Sequence, residues 1–201
     1  MATETQPVTK RNQQGRNNAQ GRRQTATPVR AAESRVKFLG HPVHQMLIVF
    51  PLGLLATAVI FDVLYLVTGD RTMATTAFWV LNAGIIGGLL AAPFGWLDWL
   101  GIPPGTRAKR VGLWHGGGNV VVLLLFIGSW LLWRDETSTP GLWAHVLAML
   151  GAGIALVTGW LGGELVDRLG VGVDQGAHMN APSSLSGRPA SEGRGSLSSL
   201  S

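Results

Sequence analysis

Four long apolar runs divide this sequence, and they constrain its fold more than any other feature. Each run is 23 or 25 residues long, and about 20 apolar residues are enough for a helix to cross the hydrocarbon core of a bilayer. Inside lipid the backbone must satisfy its own hydrogen bonds, so the runs must be helical. The sequence therefore predicts an all-α membrane protein, a bundle of four transmembrane helices over residues 46–68, 76–100, 111–133 and 141–163.

Charged residues are rare and lie almost entirely outside these runs. They make up 13% of the chain, against about 25% in typical soluble domains, and only Asp62 and Asp98 fall within a run. All eight tryptophans lie near the ends of runs, where their amphipathic rings favour the headgroup region. A soluble helical core would not produce this pattern, so the lipid bilayer is the first expected partner.

The runs and the charges together predict three regions and an orientation. Residues 38–174 form the predicted membrane domain, while residues 1–37 and 175–201 are predicted to be disordered tails, the first basic and the second rich in Ser and Gly. Eight Lys or Arg residues precede the first run, and the connection between the second and third runs adds Arg107, Lys109 and Arg110. Because basic residues favour the cytoplasmic side, we expect a protein of the inner cell membrane with both termini in the cytoplasm.

The second and fourth runs share a spacing of small residues. Gly87, Ala91, Gly95 and Trp96 match the residues 64 positions later, and the first and third runs each open with a histidine. Small residues four positions apart let helix backbones approach closely. We interpret the chain as two duplicated helical hairpins, which enter the membrane from the same side and are therefore parallel repeats.

Polar residues within the membrane domain fall into two sets. Ionisable side chains in a bilayer are costly and usually face the bundle interior. The inner set, near the cytoplasmic end, draws on all four helices: His41, His44, Asp98, His115, Asn119 and Glu164. The outer set is expected to join helices rather than to carry chemistry: Asp62, Asn82 and His145. No charge is predicted near the middle of the membrane, which disfavours a transporter or a proton relay.

Three interpretations of the inner set remain open. In the first, His44 and His115 hold a haem b, because imidazole nitrogens are common haem ligands and bundle interiors are common cofactor sites. In the second, His41, His44 and His115 hold a non-haem metal together with Asp98 or Glu164. In the third, the histidines cap helix ends or pair with carboxylates, and the protein has a structural or interaction role without a cofactor.

Other functional classes lack support in the sequence. The absence of cysteine excludes disulfides, iron–sulfur clusters and thiolate metal sites. No P-loop, dinucleotide or GxSxG motif is present, so we do not expect an enzyme. The positive charge of the N-terminal tail fits a role in topology better than nucleic-acid binding. A redox partner and a second copy of the chain remain as candidate partners.

Several stretches of the sequence resemble one known family. Residues 41–53 fit the pattern HPxHxxLxxFPxG, which is similar to the opening of a prokaryotic family of four-helix integral membrane proteins of unknown function. Looser likenesses follow at residues 95–99, 102–106, 162–165 and 170–173, and at His115 with Asn119. The resemblance covers about residues 37–174 and implies the four-helix fold and a membrane location. A looser similarity to membrane b-type cytochromes, which hold haem between histidines of a four-helix bundle, favours the haem interpretation.

Overall fold

The computed structural model describes residues 32–193, and long helices account for most of them. The first span consists of α1 (Val43–Leu47) and α2 (Val49–Thr68), and the other three spans are α3 (Arg71–Gly101), α4 (Arg107–Trp133) and α5 (Leu142–Gly163). All four spans are long and apolar enough to cross a membrane. The predicted all-α bundle of four membrane helices is confirmed.

The second and third spans begin earlier than the apolar runs predict. The Asp70 carboxylate accepts a hydrogen bond from Thr72 N at 2.8 Å and caps α3, which therefore starts ahead of residue 76. The Thr106 hydroxyl caps α4 in the same way, ahead of residue 111. Hydropathy detects only the apolar part of a helix, so polar first turns escape the prediction.

The first span is interrupted once, at Ile48. Pro51 has no N–H to donate to the Leu47 carbonyl four residues earlier, and this separates the short helix α1 from α2. The single residue between them keeps helical φ and ψ angles of −63° and −18°, so the two helices follow one another closely. His44, in α1, is therefore carried on a short helix of its own.

Short elements flank the helices at the end where the termini lie. Ahead of α1, strands β1 (Lys37–Phe38) and β2 (His41–Pro42) pair antiparallel. After α5, the chain continues as one turn of π-helix (Glu164–Arg168) and later forms a 3₁₀ turn (Ser184–Ser186). The fourth span thus extends to Arg168, past the predicted end at residue 163.

The spans are arranged as two hairpins. The first and second spans pack along each other, as do the third and fourth, and the hairpins meet where α3 contacts α4 and α2 contacts α5. We call the end of the bundle with residues 32–48, 102–106 and 164–175 the termini end. The opposite end has the connections at residues 69–70 and 134–141.

Buried positions show how the two hairpins correspond. Every buried residue of α5 lies 67 positions after a buried residue of α3, and every buried residue of α2 lies 71 positions before a buried residue of α4. The pairs are Ala77 with Ala144, Phe78 with His145, Leu81 with Ala148, Gly84 with Gly151, Ala91 with Thr158, Leu55 with Phe126, Ala58 with Ser129, and Asp62 with Trp133. Packing contacts obey the same offsets, since Leu55 lies against Gly84 and Phe126 lies against Gly151.

The observed offset differs from the predicted 64 residues by about one helical turn. The prediction pairs Gly95 with Gly159, yet Gly95 lies against the His44 ring and Gly159 has no neighbour near its Cβ position. Small residues recur every four positions in both helices, so the two sequences can be aligned at more than one offset. The pattern of buried residues identifies the offset of 67 as the structural one.

Candidate functional site

His44 lies near the start of the first span and turns its ring toward the second span. Its Nδ1 is 3.1 Å from the carbonyl oxygen of Ala91, and a Cβ atom on Gly95 would lie only 2.7 Å from the ring carbon Cε1. Because a carbonyl oxygen can only accept, Nδ1 must carry the hydrogen. The neutral ring then keeps a free lone pair on Nε2.

His115 has the same arrangement in the second hairpin. Its Nδ1 is 2.8 Å from the carbonyl oxygen of Thr158, and a Cβ atom on Gly162 would lie 3.0 Å from its Cε1. One turn along α4, Asn119 Nδ2 lies 3.2 Å from His115 Nε2 and donates to it. Thr158 follows Ala91 by 67 positions, and Gly162 follows Gly95 by the same number. The two histidine sites are therefore structurally equivalent.

The two imidazoles supply nitrogen donors from different hairpins at one end of the bundle. Both rings are half-buried. Histidines that bind a metal through Nε2 usually donate Nδ1–H to a carbonyl or carboxylate, which fixes the tautomer and the ring orientation. His44 and His115 both have this arrangement.

Asp98, predicted to support the histidines, instead binds the segment that precedes the first span. Its Oδ1 accepts hydrogen bonds from Ser34 Oγ at 2.7 Å and from Arg35 N at 2.8 Å. Ser34 is buried by this contact. The equivalent position in the fourth span, 67 residues later, is the buried Leu165.

Glu164 and His41 also have partners outside the histidine pair. Glu164 Oε1 accepts a hydrogen bond from Arg107 Nη2 at 2.6 Å. His41 is exposed on β2, with its Nε2 3.4 Å from Ser184 Oγ. Both contacts lie at the termini end.

Across residues 32–193, no three His, Asp or Glu side chains form a group that could hold a metal ion. The predicted inner set therefore divides in this part of the chain: His44, His115 and Asn119 lie in the bundle, while Asp98, Glu164 and His41 bind segments near its surface. Ser34 and Ser184, the partners of Asp98 and His41, lie in segments without a hydropathy or periodic signal, and Arg107, the partner of Glu164, lies in the polar first turn of α4. The sequence therefore does not indicate these partners.

The segments on either side of the membrane domain meet in a terminal clasp, formed by residues 32–37 and 172–175. Gly172 N donates to Ala32 O at 2.7 Å, and Gln175 N donates to Glu33 Oε1 at 2.9 Å. Lys37 pairs with Glu33 and with Asp174. The structure thus places residues 32–37 and 175, assigned by the sequence to the tails, in contact with each other; residues 1–31 and 194–201 of those tails lie outside the described part.

Charge within the clasp shifts two pKa values. The hydrogen bond from the Gln175 backbone, followed by that from Lys37, lowers the pKa of Glu33. Burial opposes the charge on Lys37, but the carboxylates of Asp174 and Glu33 outweigh it and raise the Lys37 pKa. The clasp therefore holds its ion pairs at neutral pH.

The outer set is only partly brought together. His145 Nδ1 lies 2.6 Å from Asp62 Oδ1, and both side chains are buried, so the predicted contact between these two residues is present. Asn82 Nδ2 instead donates to the carbonyl of Phe78 in its own helix at 2.9 Å.

Sequence reasoning missed the two glycines that accommodate the histidine rings, Gly95 and Gly162. Both begin stretches that resemble the family, and Gly95 also belongs to the small-residue pattern, but neither feature predicts a place beside a histidine. The pattern that identifies them is a histidine opening one span and a glycine near the end of the next, repeated in both hairpins.

A family model described as "Predicted membrane protein (DUF2231)" matches residues 40–175, which is more than half of the chain. This match confirms the resemblance to a family of membrane proteins. No curated protein and no solved structure matches the chain.

Proposed function

The chain belongs to the DUF2231 family of predicted membrane proteins, and from this premise we propose that it is a cytochrome-like electron-transfer protein that binds haem b through His44 and His115. The observation that carries the proposal is the equivalence of the two histidines. Each hairpin contributes one ring with its Nδ1–H committed to a backbone carbonyl and its Nε2 suited to bind a metal.

The donor set fits a haem better than it fits a bare metal ion. A metal ion needs several protein ligands, and residues 32–193 contain no cluster of three suitable side chains. A haem needs only axial ligands from the protein, because the porphyrin supplies the others, and imidazole is a common axial ligand. His44 and His115 would hold the haem, which would supply one-electron transfer, so the proposal also requires a redox partner.

The protein's own residues orient the two rings. The carbonyl oxygens of Ala91 and Thr158 fix the tautomer of each histidine, and Gly95 and Gly162 leave room for the rings beside the neighbouring helix. Asn119 donates to His115 Nε2, so its amide must turn away before that nitrogen can bind iron. We therefore expect Asn119→Ala to strengthen haem binding.

An absorption spectrum tests the proposal directly. The full-length protein, purified in detergent from haem-replete cells, should show a Soret band that is lost in His44→Ala and in His115→Ala. His41→Ala is the matched control, since this exposed histidine lies near the same end, and it should keep the band. A colourless, fully folded preparation would overturn the proposal.

The contact between Asn119 and His115 favours a second candidate, a membrane protein without a cofactor in which the histidines tie helices together. Each ring already bridges two helices through a hydrogen bond and a glycine contact. In this case the wild-type protein has no Soret band, and His44→Ala and His115→Ala lower the free energy of unfolding only. A second copy of the chain is then the expected partner.

We also propose that the termini end faces the cytoplasm from the inner cell membrane. Arg107, Lys109 and Arg110 lie at this end together with Arg35 and Lys37, and basic residues favour the cytoplasmic side. A reporter enzyme that is active only outside the cytoplasm should be inactive when fused after residue 201 and active when inserted at residues 134–141. The reverse result would overturn the orientation.

A further inference from the structure

Asp62 and His145 form a buried hydrogen-bonded pair between the first and fourth spans, toward the end opposite the termini. His145 Nδ1 and Asp62 Oδ1 are 2.6 Å apart, and the side chains are only 7% and 1% exposed, respectively. The other carboxylate oxygen, Asp62 Oδ2, is also buried and has no hydrogen-bond partner among the described residues. Buried polar atoms are nearly always hydrogen-bonded, so an acceptor left unused needs an explanation.

Aromatic rings surround the pair. Tyr65 of the first span stacks on the His145 ring with a centroid distance of 5.7 Å, and Trp133 of the third span meets it edge-on at the same distance. The second span contributes Phe78, which packs on Trp133. Among these neighbours only the Tyr65 hydroxyl can titrate, so the charge of the pair is set mainly by Asp62 and His145 themselves.

The interface between α3 and α4 has a position equivalent to the Asp62–His145 contact, and it shows which side chains packing alone requires there. Asp62 corresponds to Trp133 in the repeat, and His145 corresponds to Phe78. Trp133 and Phe78 also touch, with ring centroids 6.4 Å apart. The same junction is thus made once by two aromatic rings and once by a carboxylate–imidazole contact. Because apolar side chains often replace a buried polar pair without loss of stability, packing does not account for the acid and the imidazole.

We propose that Asp62 and His145 form a site that binds and releases one proton, with Asp62 Oδ2 as the accepting atom. In the released state, a neutral imidazole donates its Nδ1–H to the carboxylate and the pair carries one negative charge. Uptake of a proton forms an O–H bond at Oδ2 and leaves the pair uncharged. This site does not depend on a cofactor at His44 and His115.

The position of the pair indicates exchange with one membrane surface. Asp62 lies six residues before the end of α2 at Thr68, which corresponds to about 9 Å along the helix axis. The proton therefore comes from water at the end opposite the termini. This is consistent with the absence of charged residues near the middle of the spans.

Infrared difference spectroscopy of the full-length protein in detergent tests the proposal. Between about pH 10 and about pH 4, the wild type should gain the C=O band of a protonated carboxylic acid in apolar surroundings, and this band should shift in D₂O. Asp62→Asn should lose the band. Asp135→Asn, which changes a carboxylate that is 90% exposed, should keep it.

Two further variants keep the test decisive. His145→Phe should move the pH midpoint of the band, and an unchanged midpoint would show that the imidazole is not part of the site. The double variant Asp62→Leu/His145→Phe copies the apolar character of the equivalent interface and provides a folded reference without the band. No pH-dependent band in the wild type, or a band that survives in either Asp62 variant, would overturn the proposal.

Discussion

At the termini end, each hairpin places a histidine ring against a glycine and a backbone carbonyl. At the opposite end, one interface between the hairpins has the hydrogen-bonded Asp62–His145 pair and the other has the aromatic contact of Phe78 with Trp133. The repeat is thus kept at one end and broken at the other. A site that takes one histidine from each hairpin needs both hairpins to keep the same arrangement. The Asp62–His145 pair needs only one of the two interfaces between the hairpins.

The largest expected effect comes from removing the carboxylate of the Asp62–His145 pair. Asp62→Ala should lower the free energy of unfolding by about 3–5 kcal/mol, because the buried His145 N–H loses its acceptor and a cavity opens where the carboxylate was. Asp62→Leu/His145→Phe should instead be neutral or stabilising, since the equivalent interface is apolar. Unfolding titrations in detergent measure both values. Equal losses in the single and double variants would contradict the equivalence of the two interfaces.

The next effect concerns the glycines at the termini end. Gly95→Ala should cost about 1–3 kcal/mol, because its Cβ would lie 2.7 Å from the His44 ring. Gly162→Ala should cost less, since its distance to His115 is 3.0 Å. Gly159→Ala is the control, because nothing lies near its Cβ position. If all three variants have the same free energy of unfolding, the histidine–glycine contacts do not stabilise the packing of the two helices within each hairpin.

A smaller effect is expected at Ser129, a second polar difference between the hairpins. Its hydroxyl donates to the Ala144 carbonyl at 2.8 Å in a buried position, whereas the equivalent residue in the first hairpin is Ala58. Ser129→Ala should lower the free energy of unfolding by about 1 kcal/mol. The infrared band assigned to Asp62 should stay unchanged, and its loss would show that the two sites are coupled.

The smallest effect is a pH dependence of the terminal clasp. The folded-state pKa of Glu33 is lowered from its ordinary value of 4.5, so the stability from this contact is present above that value. It is lost as the pH falls through the lowered pKa. Hydrogen exchange at the Gln175 amide, corrected for its intrinsic rate, should then accelerate. Glu33→Gln should abolish the acceleration, and its persistence would assign it to another group.

The length of the apolar runs and the positions of the polar residues made much of the fold predictable from the sequence. The four spans follow from the absence of charge over stretches long enough to cross lipid. The contact of Asp62 with His145 follows because few polar side chains lie on that side of the membrane. The two histidines were predictable as a pair because each opens the first helix of its hairpin.

Other features depend on contacts that leave no pattern in the sequence. The register of the repeat could not be read from small residues that recur every four positions. Asp98 and Glu164 were predicted to support the histidines. Ser34, the partner of Asp98, lies in a segment without periodicity, and Arg107, the partner of Glu164, lies in the polar first turn of α4. Hydrogen bonds between such distant positions are visible only once the chain is folded.

The unequal interfaces also decide which hairpins can associate. A first hairpin paired with a second copy of itself would set Asp62 against Phe78, and a carboxylate without a partner in lipid is costly. A second hairpin paired with itself would set His145 against Trp133. Only a first hairpin paired with a second hairpin brings acid and imidazole together, so this contact disfavours pairing of like hairpins while the newly made helices still search for partners in the bilayer.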